Sequence, residues 1–158
     1  MFLPANLYIW ATMNTSDQSL FPIDSAFKRR WDWEYVPIEK HSDMDYKIKV
    51  NKTTYDWWSF VQAINKEVFD LTHSEDKQLG YFFVHTPNGV IDAQTLVNKV
   101  YFYLWNDVFK DYDIESQKAF RKPDSSNDAI AFKDFFEGGL NEELAEQVLI
   151  NLGVEKKY

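Results

Sequence analysis

Two apolar patterns and the segment between them predict the structure of the first forty residues. Leu7–Met13 is an uncharged run with aromatic and β-branched members, which is typical of a parallel strand buried on both faces. Trp31–Ile38 alternates apolar and polar residues, so it predicts a half-buried strand; Pro37 restricts this strand to a sheet edge, or itself lies among the last residues of the strand. A short helix from Pro22 to about Arg30 is predicted between the two strands.

The rest of the chain is predicted to be mainly helical. Apolar residues at spacings of three and four predict helices from the Thr54 cap to about Leu71 and from the Asp92 cap to about Lys110. A third helix is predicted from the Asn141 cap to Gly153. The residues expected to face the core are Trp57, Val61, Ile64, Val68 and Leu71, then Leu96, Val97, Val100, Leu104, Trp105 and Val108, and finally Leu144, Val148, Leu149 and Leu152.

Short apolar stretches predict strands within this helical part. Tyr46–Val50 predicts one brief strand. Leu79–Val84 is continuously apolar or aromatic apart from Gly80, and the turn residues 87–89 separate it from Val90-Ile91, so a small hairpin is expected. Polar residues from Glu39 to Asp45 predict a linker before the helical part. The chain as a whole is therefore expected to have an α+β fold that is mainly α-helical.

Composition narrows the possible function classes. The formal net charge of −8, with Lys28–Arg30 as the only dense basic segment, argues against a broad nucleic-acid-binding face. The chain has no cysteine, which excludes disulfides and thiolate metal sites, and its three histidines lack metal-ligand spacing. No apolar run is long enough to cross a membrane, and no signal-peptide pattern occurs. We expect a cytoplasmic protein with no membrane contact and no metal held by these residues.

A polar tetrapeptide follows the first predicted strand directly. Asn14-Thr15-Ser16-Asp17 lies where open α/β sheets bind ligands, at the carboxyl end of a strand. The Asn14 amide could orient an attacking water or donate to a γ-phosphate, or it could simply end the strand in a turn. Asp17 could hold a basic side chain such as that of Arg29, or it could cap the helix beside it.

Two adjacent arginines end the short predicted helix. Arg29 and Arg30 are about 100° apart around a helix and cannot point the same way. One of them could reach a phosphate. Alternatively, both are solvated cations at a helix C-terminus, where the dipole favours positive charge.

The tetrapeptide and the arginine pair together resemble a known family. Leu7-Tyr-Ile-Trp-Ala-Thr-Met-Asn-Thr-Ser-Asp, followed by Asp24-Ser-Ala-Phe-Lys-Arg-Arg-Trp, is similar to the second half of the AAA+ nucleotide-hydrolysing core, above all in the McrB-type family of restriction-associated motor proteins. The resemblance covers roughly residues 6–33. Weaker similarity around residues 76–83 and 102–109 extends it into the helical lid of that family.

The resemblance implies roles for five residues. Asn14 would be the sensor 1 residue, Asp17 the signature carboxylate of the nucleotide-binding site, and Arg29 or Arg30 the arginine finger. Lys77 is the nearest cation for a nucleotide contact from the lid, and is the weakest of these assignments. The family usually has an arginine directly after the signature aspartate, whereas this chain has glutamine at that position.

The resemblance also implies a domain organisation. Residues 1–40 would be a remnant of the AAA+ α/β core, with two strands and a short helix, and residues 46–158 a helical lid subdomain with a small hairpin. The chain contains no Gly-x-x-x-x-Gly-Lys-Ser/Thr loop and no apolar strand that ends in an acidic pair. Both are expected upstream of residue 1. The fragment alone is therefore expected to be inactive and to bind no nucleotide.

Two functions follow as hypotheses. By resemblance, the complete protein would hydrolyse ATP or GTP with Mg²⁺ as a homo-oligomeric ring, in which each arginine finger acts on the nucleotide of the neighbouring subunit. It would drive DNA translocation for a partner endonuclease, touching DNA only as the full assembly. The alternative is a non-catalytic helical module that retains relic motifs and binds a partner protein through aromatic surfaces, which the aromatic content of 18% could supply.

Overall fold

The computed structural model describes residues 4, 6–12, 24–113, 116–123 and 128–158. They belong to two compact units, residues 1–36 and 37–158. The described elements combine helices with a three-stranded sheet, which makes the fold α+β. Asn14 and Asp17 lie outside the described residues. The interpretation of the two parts as an AAA+ core remnant and a lid stays a prediction.

The described residues of the first unit form one short helix, α1 (Ser25–Lys28), and no strand. The predicted strand at Leu7–Met13 is wrong for the part described, since residues 7–12 are not in a strand and Trp10 is 86% exposed. The strand predicted at Trp31–Ile38 is also wrong, and Tyr35 is 73% exposed. A strand needs a hydrogen-bonded neighbour and an apolar face needs a covering layer, and the described residues of this unit supply neither.

A three-stranded sheet organises the second unit. β1 (Lys47–Val50) confirms the strand predicted there, and β2 (Thr53–Asp56) pairs with it in antiparallel register. The turn between these two strands places Asn51 in the left-handed region, at φ +56°, which asparagine tolerates better than most residues. β3 (Val90–Asp92) pairs with β1 in parallel, so the strand order is β2-β1-β3.

The hairpin predicted between residues 79 and 91 is wrong. Residues 79–84 are not in a strand, and β3 pairs with β1 instead. Side chains satisfy the buried backbone of this segment: the Asn65 amide donates to the Leu79 carbonyl at 2.8 Å and accepts from the Leu79 N–H at 2.7 Å. The Trp57 indole donates to the Tyr81 carbonyl at 2.7 Å. Because these backbone groups already have partners, the apolar run needs no neighbouring strand.

The first long helix, α2 (Trp57–Thr72), begins later than predicted. Thr54 is not its cap, because residues 53–56 are held in β2 by pairing with β1. The cap is Asp56, whose carboxylate accepts a hydrogen bond from the Ser59 N–H at 2.8 Å. The apolar stripe is confirmed: Trp57, Val61, Ile64 and Val68 are buried, and Leu71 packs against the core.

The two later helices begin where the sequence predicts. Asp92 caps α3 (Ala93–Thr95) by accepting from the Thr95 N–H at 2.7 Å, and the helix continues in π-helical form through Leu96–Tyr101 and Leu104–Val108. Asn141 caps α4 (Glu142–Asn151) in the same way, with the Leu144 N–H at 3.0 Å, and Gly153 follows its end at φ +67°. The buried predicted residues are Leu96, Val97, Val100, Leu104, Val108, Val148 and Leu149, while Trp105, Leu144 and Leu152 pack against the core.

The C-terminal residues cover the edge of the sheet that β2 would otherwise leave open. The Glu155 carbonyl accepts from the Asp56 N–H at 2.9 Å, and the Lys157 N–H donates to the Thr54 carbonyl at 2.8 Å. The Lys157 ammonium forms ion pairs with Asp56, at 3.2 Å, and with Asp45. An open strand edge is a template for pairing with other chains, so this segment protects the sheet.

A hydrogen-bonded cluster joins the β1–β2 turn to α4. The Tyr55 hydroxyl donates to Glu146 Oε1 at 2.8 Å, and the Asn51 side-chain amide lies 3.3 Å from Glu146 Oε2. Burial, reinforced by the hydrogen bond and the charge of Glu146, raises the pKa of Tyr55 to about 12. Burial would also raise the pKa of Glu146, but hydrogen bonds from Thr53, Tyr55 and Asn51 and the charge of Lys156 hold it below its ordinary value.

The lowered pKa of Glu146 predicts a pH-dependent contribution to stability. We expect Glu146→Gln to lower the free energy of unfolding at pH 7 by about 1 kcal/mol, because the charged hydrogen bonds are weakened. The folded state favours the carboxylate, so its contribution is present above the pKa of the unfolded chain and is lost as the pH falls through the lower folded pKa. The difference in the free energy of unfolding between wild type and Glu146→Gln should therefore narrow below pH 4.5, the ordinary pKa of this carboxyl. Denaturant titrations from pH 7 to pH 3 measure it.

Glu143→Gln is the matched control, since Glu143 is an exposed carboxylate in the first turn of the same helix. Its stability difference from wild type should be smaller at pH 7 than that of Glu146→Gln. A difference for Glu146→Gln that stayed constant down to pH 3 would contradict the prediction.

Candidate functional site

The described part of the predicted nucleotide site is a compact turn, residues 24–33, which we call the arginine turn. It contains α1 and the two arginines that follow it. Asp24 caps the helix, since its carboxylate accepts from the Phe27 N–H at 2.6 Å. Arg29 ends the helix in αR geometry, and its N–H donates to the Ser25 carbonyl at 3.1 Å. The prediction of a short helix before the paired arginines is confirmed, but the helix begins after the Asp24 cap and ends at Lys28, one residue before Arg29.

Aromatic residues stabilise the C-terminal part of the arginine turn. The rings of Phe27 and Trp31 lie 5.8 Å apart, tilted by 42°. The Trp33 indole N–H donates to the Lys28 carbonyl at 3.0 Å, so it satisfies a carbonyl at the end of the helix. The turn is thus closed at one end by a carboxylate and at the other by an indole.

Both arginines of the turn extend into solvent. Arg29 and Arg30 are exposed, and in the part of the chain that the structure describes neither takes part in an ion pair. A guanidinium presents five N–H donors in a planar fork that matches the oxygens of a phosphate. The arrangement therefore leaves two phosphate-binding groups available. The same exposure is expected for an arginine finger and for two solvated cations at a helix end.

Lys77 lies in the second unit, on the loop that follows α2. Its ammonium is 5.7 Å from the centre of the Tyr112 ring, which is a cation–π distance. Its carbonyl accepts from the Tyr103 hydroxyl at 3.1 Å. The side chain is half-buried against its own unit. A nucleotide contact by Lys77 stays a prediction.

Two buried polar residues on α2 were missed from the sequence. The first is Asn65, whose side-chain amide hydrogen-bonds the backbone of Leu79. The second is Glu67, whose carboxylate accepts hydrogen bonds from the N–H groups of Lys118 at 2.5 Å and Ala119 at 3.1 Å. Both residues are only 8% exposed. The signal in the sequence was their position between Ile64 and Val68, two residues of the apolar stripe of α2. They position loops of the second unit through backbone contacts.

Other kinds of site are not found among the described residues. No group of three or more carboxylate, imidazole or thiolate side chains there is arranged to hold a metal ion. No helix within the described ranges is long and apolar enough to cross a membrane. An open depression of about 370 Å³ is lined by Lys40, Asp56, Trp58, Ser59, Gln62 and residues 155–157. The ion pairs of Lys157 and Lys40 partly neutralise it.

One comparison connects the chain with a known system. The chain is similar to the type II restriction enzyme BsuMI component YdiS of Bacillus subtilis (strain 168), with 39% identity over 114 residues. The matched region covers 68% of this chain and 33% of that protein. The chain therefore spans about a third of the length of the curated relative that it matches. No protein-family model and no solved structure matches the chain.

Proposed function

We propose that this chain is the C-terminal part of a McrB-like AAA+ NTPase that serves a restriction system. The complete protein hydrolyses ATP or GTP, with Mg²⁺ neutralising charge on the phosphates, as a homo-oligomeric ring. Hydrolysis drives DNA translocation or cleavage together with a partner endonuclease. In this chain, Asn14 serves as sensor 1, and the arginine turn reaches the nucleotide of the neighbouring subunit.

The observation that carries the proposal is the similarity to the BsuMI component YdiS, at 39% identity. This similarity supports a role in a restriction system. The more specific NTPase role rests on the Thr-Met-Asn-Thr-x-Asp motif at residues 12–17 and on the arginine turn. The exposure of both guanidinium groups supports that role, because a finger must leave its own subunit to reach a phosphate.

Exposed apolar side chains in the first unit also support the view that it is part of a larger core. Leu7, Ile9 and Trp10 are 48%, 64% and 86% exposed. Contiguous exposed apolar residues of this kind mark a surface that another element covers. We propose that strands of the complete AAA+ core lie against this run.

An aromatic cluster on the second unit favours the alternative, a non-catalytic module that binds a partner protein. The Phe132 ring lies 5.3 Å from the Phe102 ring and 5.6 Å from the Phe136 ring. Phe102 and Phe136 are 46% and 43% exposed. Exposed aromatic side chains are enriched at protein interfaces. The genomic sequence before Met1 separates the two functions: an open reading frame that encodes a P-loop supports the NTPase, and its absence supports the module.

The NTPase proposal predicts the effect of replacing Asn14 in the complete protein. We expect Asn14→Ala to lower kcat for nucleotide hydrolysis by about 10²-fold, because one preorganised donor at the γ-phosphate or the attacking water is lost. Steady-state phosphate release with ATP and with GTP measures it.

Asn6→Ala is the control, since Asn6 is an exposed asparagine of the same segment outside the motif. It should leave hydrolysis near the wild-type rate. Nucleotide hydrolysis at the wild-type rate by the Asn14→Ala variant would contradict the assignment of Asn14 as sensor 1.

A further inference from the structure

The arginine turn depends on contacts beyond its own helix. α1 has four residues, far fewer than an isolated helix needs to persist in water. The Asp24 carboxylate supplies one end contact, at 2.6 Å from the Phe27 nitrogen. At the other end, the Lys28 carbonyl accepts both the Trp31 N–H, at 3.3 Å, and the Trp33 indole N–H, at 3.0 Å. The Trp33 indole is thus a side-chain cap of the helix C-terminus.

The capped carbonyl belongs to the peptide group that leads into Arg29. The Lys28 carbonyl and the Arg29 N–H share one plane, because the peptide bond is planar. Trp33 holds the carbonyl side of this plane, and the Ser25 carbonyl holds the N–H side at 3.1 Å. Both edges of the plane are therefore held, and with them the direction of the N–Cα bond that leads to the Arg29 side chain.

The hydrogen bond from its indole to the Lys28 carbonyl distinguishes Trp33 from Trp31. The Trp33 side chain is 59% exposed, so it contributes little to a packed core. Trp31, by comparison, is half-buried and lies against Phe27. Two tryptophans of one turn thus have separable roles, one in ring packing and one in capping a carbonyl.

We propose that Trp33 is a positioning residue for Arg29, and that Arg29 is the arginine of the pair that acts on the nucleotide. This inference rests on the proposed function. The indole sets the orientation of the peptide group before Arg29, and so the position from which the Arg29 side chain extends towards the neighbouring subunit. Arg30 lies one residue beyond the doubly held peptide, and its own N–H donates to the Phe27 carbonyl at 3.0 Å.

The test uses Trp33→Phe in the complete protein, which keeps an aromatic ring and removes the indole N–H. Loss of one hydrogen bond that positions a reacting group should lower kcat about fivefold and leave KM for the nucleotide unchanged. The same substitution should have no further effect in an Arg29→Ala background, because the group that it positions is absent. In an Arg30→Ala background it should lower kcat by the same factor as in wild type.

Trp31→Phe is the matched control, since it removes an indole from the same turn and retains a ring beside Phe27. It should lower kcat less than Trp33→Phe does, because the hydrogen bond from Trp33 to the Lys28 carbonyl is intact. If Arg29→Ala impairs hydrolysis while Trp33→Phe behaves as wild type, or if Trp33→Phe costs as much without Arg29 as with it, the positioning role is wrong and the proposed function stands. If neither Arg29→Ala nor Arg30→Ala impairs hydrolysis, the proposed function itself fails.

Discussion

Hydrolysis is expected to return when two inactive variants of the complete protein are mixed, one with Arg29→Ala and one with a disabled P-loop. Each variant alone should hydrolyse nucleotide about 10³-fold or more slowly than wild type, since arginine fingers contribute about 10³ to 10⁵ in rate. In a mixed ring, an intact P-loop of one subunit lies beside an intact Arg29 of its neighbour. Some interfaces then carry a complete site, and phosphate release measures their activity.

The mixing experiment separates a finger from an arginine that acts within its own subunit. A residue that served only its own nucleotide would give variants that do not rescue one another through a shared interface. Mixing two preparations that both carry Arg29→Ala is the matched control, and it should stay inactive. Activity of the Arg29→Ala variant alone at the wild-type rate would contradict the prediction before any mixing.

Replacement of Trp57 by alanine is expected to have the largest effect on stability. Trp57 is 0% exposed, stacks on Phe60 with ring centres 5.3 Å apart, and donates its indole N–H to the Tyr81 carbonyl at 2.7 Å. Truncation removes a large apolar side chain and leaves a cavity. It also leaves the buried Tyr81 carbonyl without its hydrogen-bond donor. We expect a loss of about 3–5 kcal/mol in the free energy of unfolding. Chemical denaturation followed by ellipticity at 222 nm measures it.

Two further variants divide this effect into its parts. Trp57→Phe retains most of the apolar volume but leaves the Tyr81 carbonyl without its donor, so it should cost about 1–3 kcal/mol. Trp58→Phe changes the neighbouring, half-buried tryptophan and should cost less than either Trp57 variant. A Trp57→Ala chain within 1 kcal/mol of wild type would show that Trp57 does not hold α2 against the loop of Tyr81.

Local signals predicted the helices of the second unit. Asp92 and Asn141 were recognised as caps from their own side chains and the apolar spacing that follows them, and the structure confirms both. The start of α2 was misplaced at Thr54, because its real position depends on the pairing of β2 with β1. A cap is a contact between residues three apart, whereas strand pairing is decided by a partner elsewhere in the chain.

The candidate site also has one part that the sequence predicted and one part that it did not. The short helix before the arginines was predicted, although it begins after the Asp24 cap and not at Pro22. The part that Trp33 plays was not, because an alternating pattern at residues 31–38 predicted a strand with that side chain on a buried face. Asn14 and Asp17 lie outside the described residues, so their roles continue to rest on the motif.

By itself, the sequence determined the three long helices of the second unit, the caps of α3 and α4 and the core-facing residues, and it supplied the motif behind the functional proposal. These features depend on side chains close together in the chain. The tertiary structure alone decided the parallel pairing of β3 with β1, the cover of β2 by residues 155–157, and the attachment of Glu67 to the backbone of residues 118 and 119. Each joins segments distant in sequence, and each exists because a strand edge or a buried polar group must find a partner wherever the folded chain brings one.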